Sequence, residues 1–236
     1  IAEYKSALYV WGRSGIKDFN AYLVCCSRYD TAKHILPDEL KLNVIGLEFY
    51  EEEKKKGRRI IFIDWHHGHF FLAKNFLFKL DPALVSYGPL ECYTRKNNMA
   101  VVEQFSNSVQ MLARMLKDLD EKKTLHYLFD GVMGVRTKAY KLFDKKVYLP
   151  NALAGFIKKM NAVILPINAY LNSEGELHVF IFEGIRLSDN LQGFSDEHII
   201  STFLALFEKN VLSHAPTMVN YPHLSFIENP AVRDSF

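Results

Sequence analysis

The chain has 236 residues, of which 49% are hydrophobic and 14% aromatic, so it can bury the core of one large domain. Its 29 lysine and arginine residues nearly balance 27 aspartate and glutamate residues, which argues against a general nucleic-acid-binding protein, because such proteins neutralise many phosphates. Three cysteines without a CxxC pair indicate reduced thiols in a cytoplasmic protein and argue against a cysteine-ligated zinc.

The N-terminal part of the chain is predicted to be helical. Residues 1–57 carry apolar side chains at helical spacing, with a second set at Leu40, Val44 and Leu47, and this segment is expected to pack on an α/β core at 58–236. The sequence has no run of about 18 apolar residues that would span a bilayer. It begins with Ile rather than Met, so a preceding segment and an N-terminal anchor are left open.

The middle of the chain alternates between strand and helix patterns. RRIIFIDW, at 58–65, is a β-branched and aromatic run typical of a strand buried on both faces. Helical spacing follows over 68–80, a short strand over 83–88 and a long amphipathic helix over 97–119. TLHYLFDG, at 124–131, is predicted to be the next buried strand.

The C-terminal part continues the alternation. A short helix is predicted over 149–162, then the strand VILPINAYL, broken or bulged at Pro166, and an antiparallel partner over 176–185. The last helix has Ser195 as its predicted N-cap and Pro216 just past its end. This order predicts a single α/β domain with a mixed, mostly parallel sheet flanked by helices on both faces.

Ligands of open α/β sheets bind outside the carboxyl ends of the strands, and two predicted strands end in polar residues. One ends in Asp64-Trp65-His66-His67 and the other in Asp130-Gly131. Adjacent histidines on a strand point to opposite sides, so His66, His67 and His69 have poor spacing for zinc, and a metal-dependent hydrolase is the weakest interpretation. A single histidine acting as a general base, or polar residues that only close a turn, both fit the local pattern.

Collinear segments resemble a known family. IIFIDWHHGHFFLAKNF resembles the strand, His-x-Gly and helix of the lipid A late acyltransferases, a branch of the lysophospholipid acyltransferase superfamily. The segment from LHYLFDG to VFIFEGIRL is similar to that family's strand ending in Asp, its basic segment and its later strands. The segment STFLALFEKNVLSHAPTMVNY is similar to the family's last helix and to the proline-containing segment that follows it. The likeness covers residues 58–221 and rests on the order of the segments.

The resemblance implies an acyltransferase. His66 falls on the family's catalytic histidine and Gly68 on its glycine, and such a histidine deprotonates an acceptor hydroxyl that attacks an acyl thioester on acyl carrier protein or coenzyme A. Asp130 falls on the strand-end Asp and is predicted to be the second catalytic residue. The family's acid five positions after the histidine is replaced by Phe71. Another carboxylate (Asp64, Asp130 or Glu103) would then have to reach the imidazole, unless the acceptor is an amine or the protein is inactive.

The remaining candidate residues concern substrate binding. The predicted substrate-binding residues are His67, Gly68, Arg136, Lys138 and Lys141. The three basic side chains would meet a phosphate or the acidic face of a carrier protein, or else form an ordinary exposed loop. Phenylalanines near the histidines are expected to line an acyl groove or to belong to the core: Phe70, Phe71, Phe76 and Phe78.

These residues lead to one prediction and two alternatives. The prediction is an enzyme that moves an acyl group from an acyl-carrier-protein or acyl-CoA thioester to a lipid or small-molecule acceptor, with no cofactor, no metal and no nucleic-acid partner. It would work in the cytoplasm or peripherally on the inner membrane face. The alternatives are a catalytically inactive relative that binds an acyl chain or acyl carrier protein, and the metal-dependent hydrolase.

Overall fold

The structure is a computed structural model of the chain. It describes residues 40–64, 70–88, 91–96, 99–121, 124–128, 137–142, 145–150, 154–155, 158–159, 161–171, 174–186 and 194–214.

Strands and helices alternate along most of the described chain. The strands are β1 (Lys41–Ile45), β2 (Ile60–Asp64), β3 (Val85–Gly88), β4 (Glu91–Lys96), β5 (Met99–Gln104), β6 (Leu125–Leu128), β7 (Thr137–Leu142), β8 (Lys145–Pro150), β9 (Val163–Leu171), β10 (Glu176–Ile181) and β11 (Ile185–Arg186). The helices are α1 (Leu47–Lys55), α2 (Phe70–Leu80), α3 (Ser108–Asp120) and α4 (Asp196–His214).

Nine of these strands form one sheet in the order β1-β10-β9-β2-β6-β3-β4-β5, with β11 paired to β9. The four central strands, β9, β2, β6 and β3, run parallel. Strands β4 and β5 extend one side of the sheet as antiparallel neighbours, while β10 is antiparallel to β9 and β1 is parallel to β10. The predicted class, a single α/β domain with a mixed sheet, is confirmed.

Strand β2 is buried on both faces, as its continuous apolar run predicted. Ile60 and Phe62 pack on the face covered by α1 and α2, while Ile61 and Ile63 pack on the face covered by α3 and α4. The alternation follows from the two-residue period of a strand. The end of β2 is therefore fixed on both faces, and by β6 and β9 on both edges.

The helical prediction for the N-terminal part is confirmed over Leu47–Lys55 and wrong for Lys41–Ile45. Lys41–Ile45 is an edge strand paired along its length with β10, and its burial alternates with a period of two. The apolar spacing over so short a segment does not distinguish a helix from a strand. Pairing with β10, more than 130 residues away in the sequence, makes this segment a strand. Residues 1–39 lie outside the described residues.

The helix predicted over 97–119 is correct only in its second part. Met99–Gln104 forms β5, which pairs with all of β4, and the helix begins at Ser108. The Asn107 side chain accepts a hydrogen bond of 3.0 Å from the backbone N–H of Gln110, which makes it the N-cap of α3. The apolar pattern that predicted one helix thus covers two elements, the strand β5 and the helix α3, and the Asn107 cap lies between them.

The strand predicted at VILPINAYL is confirmed as β9, which is continuous rather than broken at Pro166. On one side β9 pairs with β2 through Pro166. On its other side, β11 pairs with Val163 and Ile164, and β10 pairs from Ile167 onward. Pro166, which has no backbone N–H, therefore lies between the part of β9 that pairs with β11 and the part that pairs with β10. A sheet tolerates proline at such a position.

The basic segment after Asp130 includes a hairpin that the sequence reading did not predict. Strands β7 and β8 pair antiparallel as a separate two-stranded sheet. The predicted N-cap of the last helix is confirmed, because the Ser195 Oγ accepts a hydrogen bond of 3.2 Å from the His198 N–H. Pro216 lies outside the described residues.

Replacing Gly46 by alanine is expected to destabilise the fold more than replacing Gly57 by alanine. Both glycines have positive φ, 82° and 67°, but a Cβ at Gly46 would overlap the backbone carbonyl oxygen of Ile181, whereas open space surrounds Gly57. Left-handed strain alone costs about 1 kcal/mol or more, and the overlap adds to it only at Gly46. Urea unfolding of the two variants measures the difference, and equal losses would contradict the steric argument.

Candidate functional site

The carboxyl ends of the parallel strands form one edge of the sheet. The register of β2 and β6 pairs Asp64 with Leu128. His66 follows Asp64 by two residues and Asp130 follows Leu128 by two residues. The two segments thus leave adjacent strands, roughly 4.8 Å apart, at the same level of the sheet.

Several predicted site residues lie outside the described residues. These are His66, His67, Gly68, Asp130 and Arg136. Phe70 and Phe71 are described only as the first backbone positions of α2. Phe76 and Phe78 are 5% and 8% exposed and pack in the core on the α1 and α2 face, as the core alternative predicted.

The two described basic residues lie on β7, and the side chains of both are exposed. The Lys138 Nζ lies 2.8 Å from a carboxylate oxygen of Glu197 on α4. The hydrogen bond that Lys138 donates to the Glu197 carboxylate raises the pKa of Lys138. Lys138 thus joins the β7–β8 hairpin to the start of the last helix, and its substrate-binding role stays a prediction, as does that of Lys141.

A line of three buried polar side chains crosses the centre of the sheet. Asp64, His126 and Ser86 are 0%, 0% and 1% exposed, and they lie on the adjacent strands β2, β6 and β3. The Ser86 Oγ is 2.8 Å from the His126 Nδ1, and the His126 Nε2 is 3.6 Å from the Asp64 Oδ2. The three side chains alternate with residues of the α3 and α4 face, so they share the face of the sheet that α1 and α2 cover.

A second polar network joins β3, α3 and the β4–β5 hairpin. The Tyr87 hydroxyl donates a 2.6 Å hydrogen bond to Asp118, which also accepts one of 3.1 Å from the Arg114 Nε. Arg114 pairs in turn with Glu103 at 2.8 Å, and the Cys92 thiol lies 3.8 Å from the same Glu103 oxygen. Burial, followed by the Glu103 charge, raises the pKa of Cys92 to about 11, so this thiol stays protonated at neutral pH.

Glu103 does not lie at the centre of the sheet. It belongs to β5, four strand positions from β2, a distance of roughly 19 Å, and its side chain is 49% exposed. Its carboxylate already pairs with Arg114. Of the two described carboxylates considered for the histidine, Asp64 is the one that belongs to β2, the strand that precedes His66 in the sequence.

A comparison with protein families adds the decisive observation. The model of the bacterial lipid A biosynthesis acyltransferases matches residues 24–218 of the chain. The chain belongs to this acyltransferase family. The match includes β2, residues 66–69, β6, the β7–β8 hairpin and α4 up to its last residue. The strand ends that precede His66 and Asp130 therefore lie inside the matched part of this acyltransferase. A search of curated proteins found no match.

Two further findings concern the described part of this acyltransferase. Within it, no helix is long and apolar enough to cross a membrane. No three or more histidine, cysteine, aspartate or glutamate side chains in those same ranges are grouped so as to hold a metal ion. The His66, His67 and His69 cluster lies outside these ranges, so the metal-dependent alternative is untested.

Sequence reasoning did not single out His126 or Ser86. Both lie inside short apolar runs, TLHYLFDG and ALVSYG, where the surrounding residues determine the strand pattern. The sequence nevertheless contained an indication, namely a polar residue within each apolar strand pattern. A polar side chain at a buried position of a central strand costs free energy unless it is paired. Finding the pairing required the strand order, which places β6 between β2 and β3.

Proposed function

We propose that the protein transfers an acyl group from a thioester to a hydroxyl or amine acceptor, with His66 as the general base. The observation that carries the proposal is the family match over residues 24–218, within which His66 and Gly68 follow the end of a central parallel strand. Carboxyl ends of such strands are the usual place for substrate. An imidazole suits the step because its ordinary pKa lies near neutral pH.

The reaction has two steps at one carbonyl. His66 takes the proton of the acceptor hydroxyl or amine, and the acceptor oxygen or nitrogen attacks the thioester carbonyl. The carbon–sulfur bond then breaks, and the thiol of the carrier leaves with a proton. Asp130, which follows the strand next to β2, is proposed to assist on the same edge, and no cofactor is needed for this chemistry.

We propose acyl carrier protein or acyl-CoA as the donor and a lipid or small molecule as the acceptor. The basic residues support this choice, because Lys138 and Lys141 project from β7 into solvent and Arg136 directly precedes that strand. Positive side chains attract the phosphates of coenzyme A or the acidic surface of a carrier protein. The proposed location is the cytoplasm, at the inner membrane face where lipid acceptors are found.

One observation favours a second candidate, an inactive relative that binds an acyl chain or acyl carrier protein. Phe71 stands where the family resemblance implies an acid, and loss of an orienting carboxylate can lower the rate of a triad-like site about 10,000-fold. Such a protein would bind the thioester without transferring its acyl group.

The proposal is tested with purified protein, radiolabelled acyl carrier protein or acyl-CoA, and a panel of lipid and amine acceptors. Mass spectrometry of the acceptor identifies the product, and release of free thiol gives the rate. Acylation of any acceptor supports the proposal. Tight thioester binding without an acylated acceptor would favour the inactive relative instead.

A further inference from the structure

We propose that the outer edge of strand β5 pairs with the same edge of a second copy of this chain, so that the two sheets join across a two-fold axis. Strand β5 is the last strand of the nine-stranded sheet, and among the described residues it pairs with β4 alone. Its outer side therefore presents backbone N–H and C=O groups to a partner strand. The proposal does not depend on acyl transfer, because it concerns a surface that the proposed reaction does not use.

The middle of β5 exposes apolar side chains. Val101 is 43% exposed and Val102 is 49% exposed. The two side chains point to opposite faces of the sheet, because successive residues of a strand alternate between its faces. A strand added to this edge would cover part of both valines, and removal of apolar surface from water favours association.

Strand β5 lacks the features that usually keep sheet edges from pairing. Its six residues include no proline and no lysine, and each opposes one residue of β4, so no bulge bends the strand away. Its single charged residue, Glu103, pairs with Arg114 at 2.8 Å. The strand at the other end of the sheet, β1, begins with Lys41, whose side chain is 80% exposed. Pairing is therefore expected at β5 rather than at β1.

The distribution of charge along the β4–β5 hairpin favours a second copy as the partner. Arg95 and Lys96 lie at one end of the paired strands, and Glu91 and Glu103 lie towards the other end. Identical strands related by a two-fold axis in one sheet run antiparallel, so the acidic end of each hairpin lies beside the basic end of its partner. Opposite charges across strands stabilise a sheet, and like charges destabilise it.

The exposed valines lie at the centre of such a pairing. The two-fold axis passes through the middle of the paired region, and Val101 and Val102 are the two middle residues of β5. Neighbouring strands are roughly 4.8 Å apart, which brings the valines of the two copies into contact. The interface is small, so a weak dimer with a dissociation constant in the micromolar range is expected.

The first experiment is sedimentation velocity of the full chain over a concentration series, with Val102→Lys as the test and Val109→Lys as its matched control. Val109 is 73% exposed but belongs to the first turn of α3. Wild type and Val109→Lys should approach twice the mass of one chain as the concentration rises. Val102→Lys should keep the mass of one chain, because lysines from both copies would meet near the axis. Thermal unfolding of both variants checks that each is folded.

The second experiment is amide hydrogen exchange of the wild type, which identifies the edge that pairs. The amides of β5 should exchange more slowly as the protein concentration rises, and those of β1 should not change. A wild-type mass that stays at one chain up to millimolar concentration, or a dimer that persists in Val102→Lys, would overturn the inference. A monomer whose β5 amides are already protected would also overturn it, because its own chain would then cover the edge.

Discussion

Replacing His66 with alanine is expected to lower kcat by about 100- to 10,000-fold, the contribution of a positioned general base. Without the imidazole, an acceptor hydroxyl keeps its proton and attacks the thioester slowly. The donor does not depend on this proton transfer for binding, so its dissociation constant should change little. Initial rates at saturating thioester, together with equilibrium binding of the same thioester, measure the two quantities separately.

The matched control for this experiment is His198→Ala. His198 is exposed on α4, stacks on Phe194 with ring centroids 4.5 Å apart, and takes part in the helix cap only through its backbone N–H. Its loss should leave kcat at the wild-type level. Unchanged turnover in His66→Ala would refute the general-base role, and a stoichiometric zinc that disappears with the same variant would support the metal-dependent alternative.

Replacing Asp81 with alanine is expected to lower the free energy of unfolding by about 3 to 5 kcal/mol, because it removes the centre of a buried polar network. Asp81 accepts hydrogen bonds from the Thr124 hydroxyl at 2.6 Å, the Tyr50 hydroxyl at 2.9 Å and the Ala83 N–H at 3.1 Å. The Lys54 Nζ lies 3.4 Å from the same carboxylate. The variant would leave two buried hydroxyls, those of Thr124 and Tyr50, without this acceptor.

The comparison for Asp81 is Asp120→Ala. Asp120 also pairs with a cation, Arg59 at 2.8 Å, but its side chain is 68% exposed. Exposed pairs contribute at most about 1 kcal/mol, so this variant should unfold at nearly the wild-type denaturant concentration. Urea unfolding followed by circular dichroism measures both variants. A similar loss in the two would show that the Asp81 network adds nothing beyond a surface pair.

The Asp81 network also predicts a pH dependence of stability. Burial alone would raise the pKa of this carboxyl, but the hydrogen bonds from Thr124, Tyr50 and the Ala83 N–H outweigh it, and the pKa is lowered. A lowered folded-state pKa means that the stabilisation is present above the unfolded-state pKa, about 3.9, and is lost as the pH falls through the folded-state value. Wild-type protein should therefore lose stability below about pH 4 more steeply than Asp81→Ala does.

Local patterns predicted those elements whose own residues carry the signal. The β2 run of IIFID has no polar break until its last residue, so only a strand buried on both faces fits it. The last helix has a serine cap and helical apolar spacing, and both are present in α4. The resemblance of the histidine-containing segment and its neighbours to the acyltransferases agrees with the family match.

Other elements form by pairing with strands elsewhere in the chain, and for these the helices predicted from the sequence were wrong. Lys41–Ile45 becomes a strand because β10 offers it an edge, and Met99–Gln104 because β4 pairs with it. Their apolar residues do not by themselves distinguish the two-residue period from the helical one over five or six positions. Tertiary pairing therefore overrode local preference in both segments.

The sequence by itself determined the α/β class, the buried strand that leads to His66 and the acyltransferase resemblance, because each depends on consecutive residues or on their order. Only the tertiary structure revealed that Asp64, His126 and Ser86 form one buried line and that Glu103 lies four strands away. The physical reason is that β6 inserts between β2 and β3, which brings together side chains from residues 64, 86 and 126. Strand order is set by packing of the whole domain, and no local pattern encodes it.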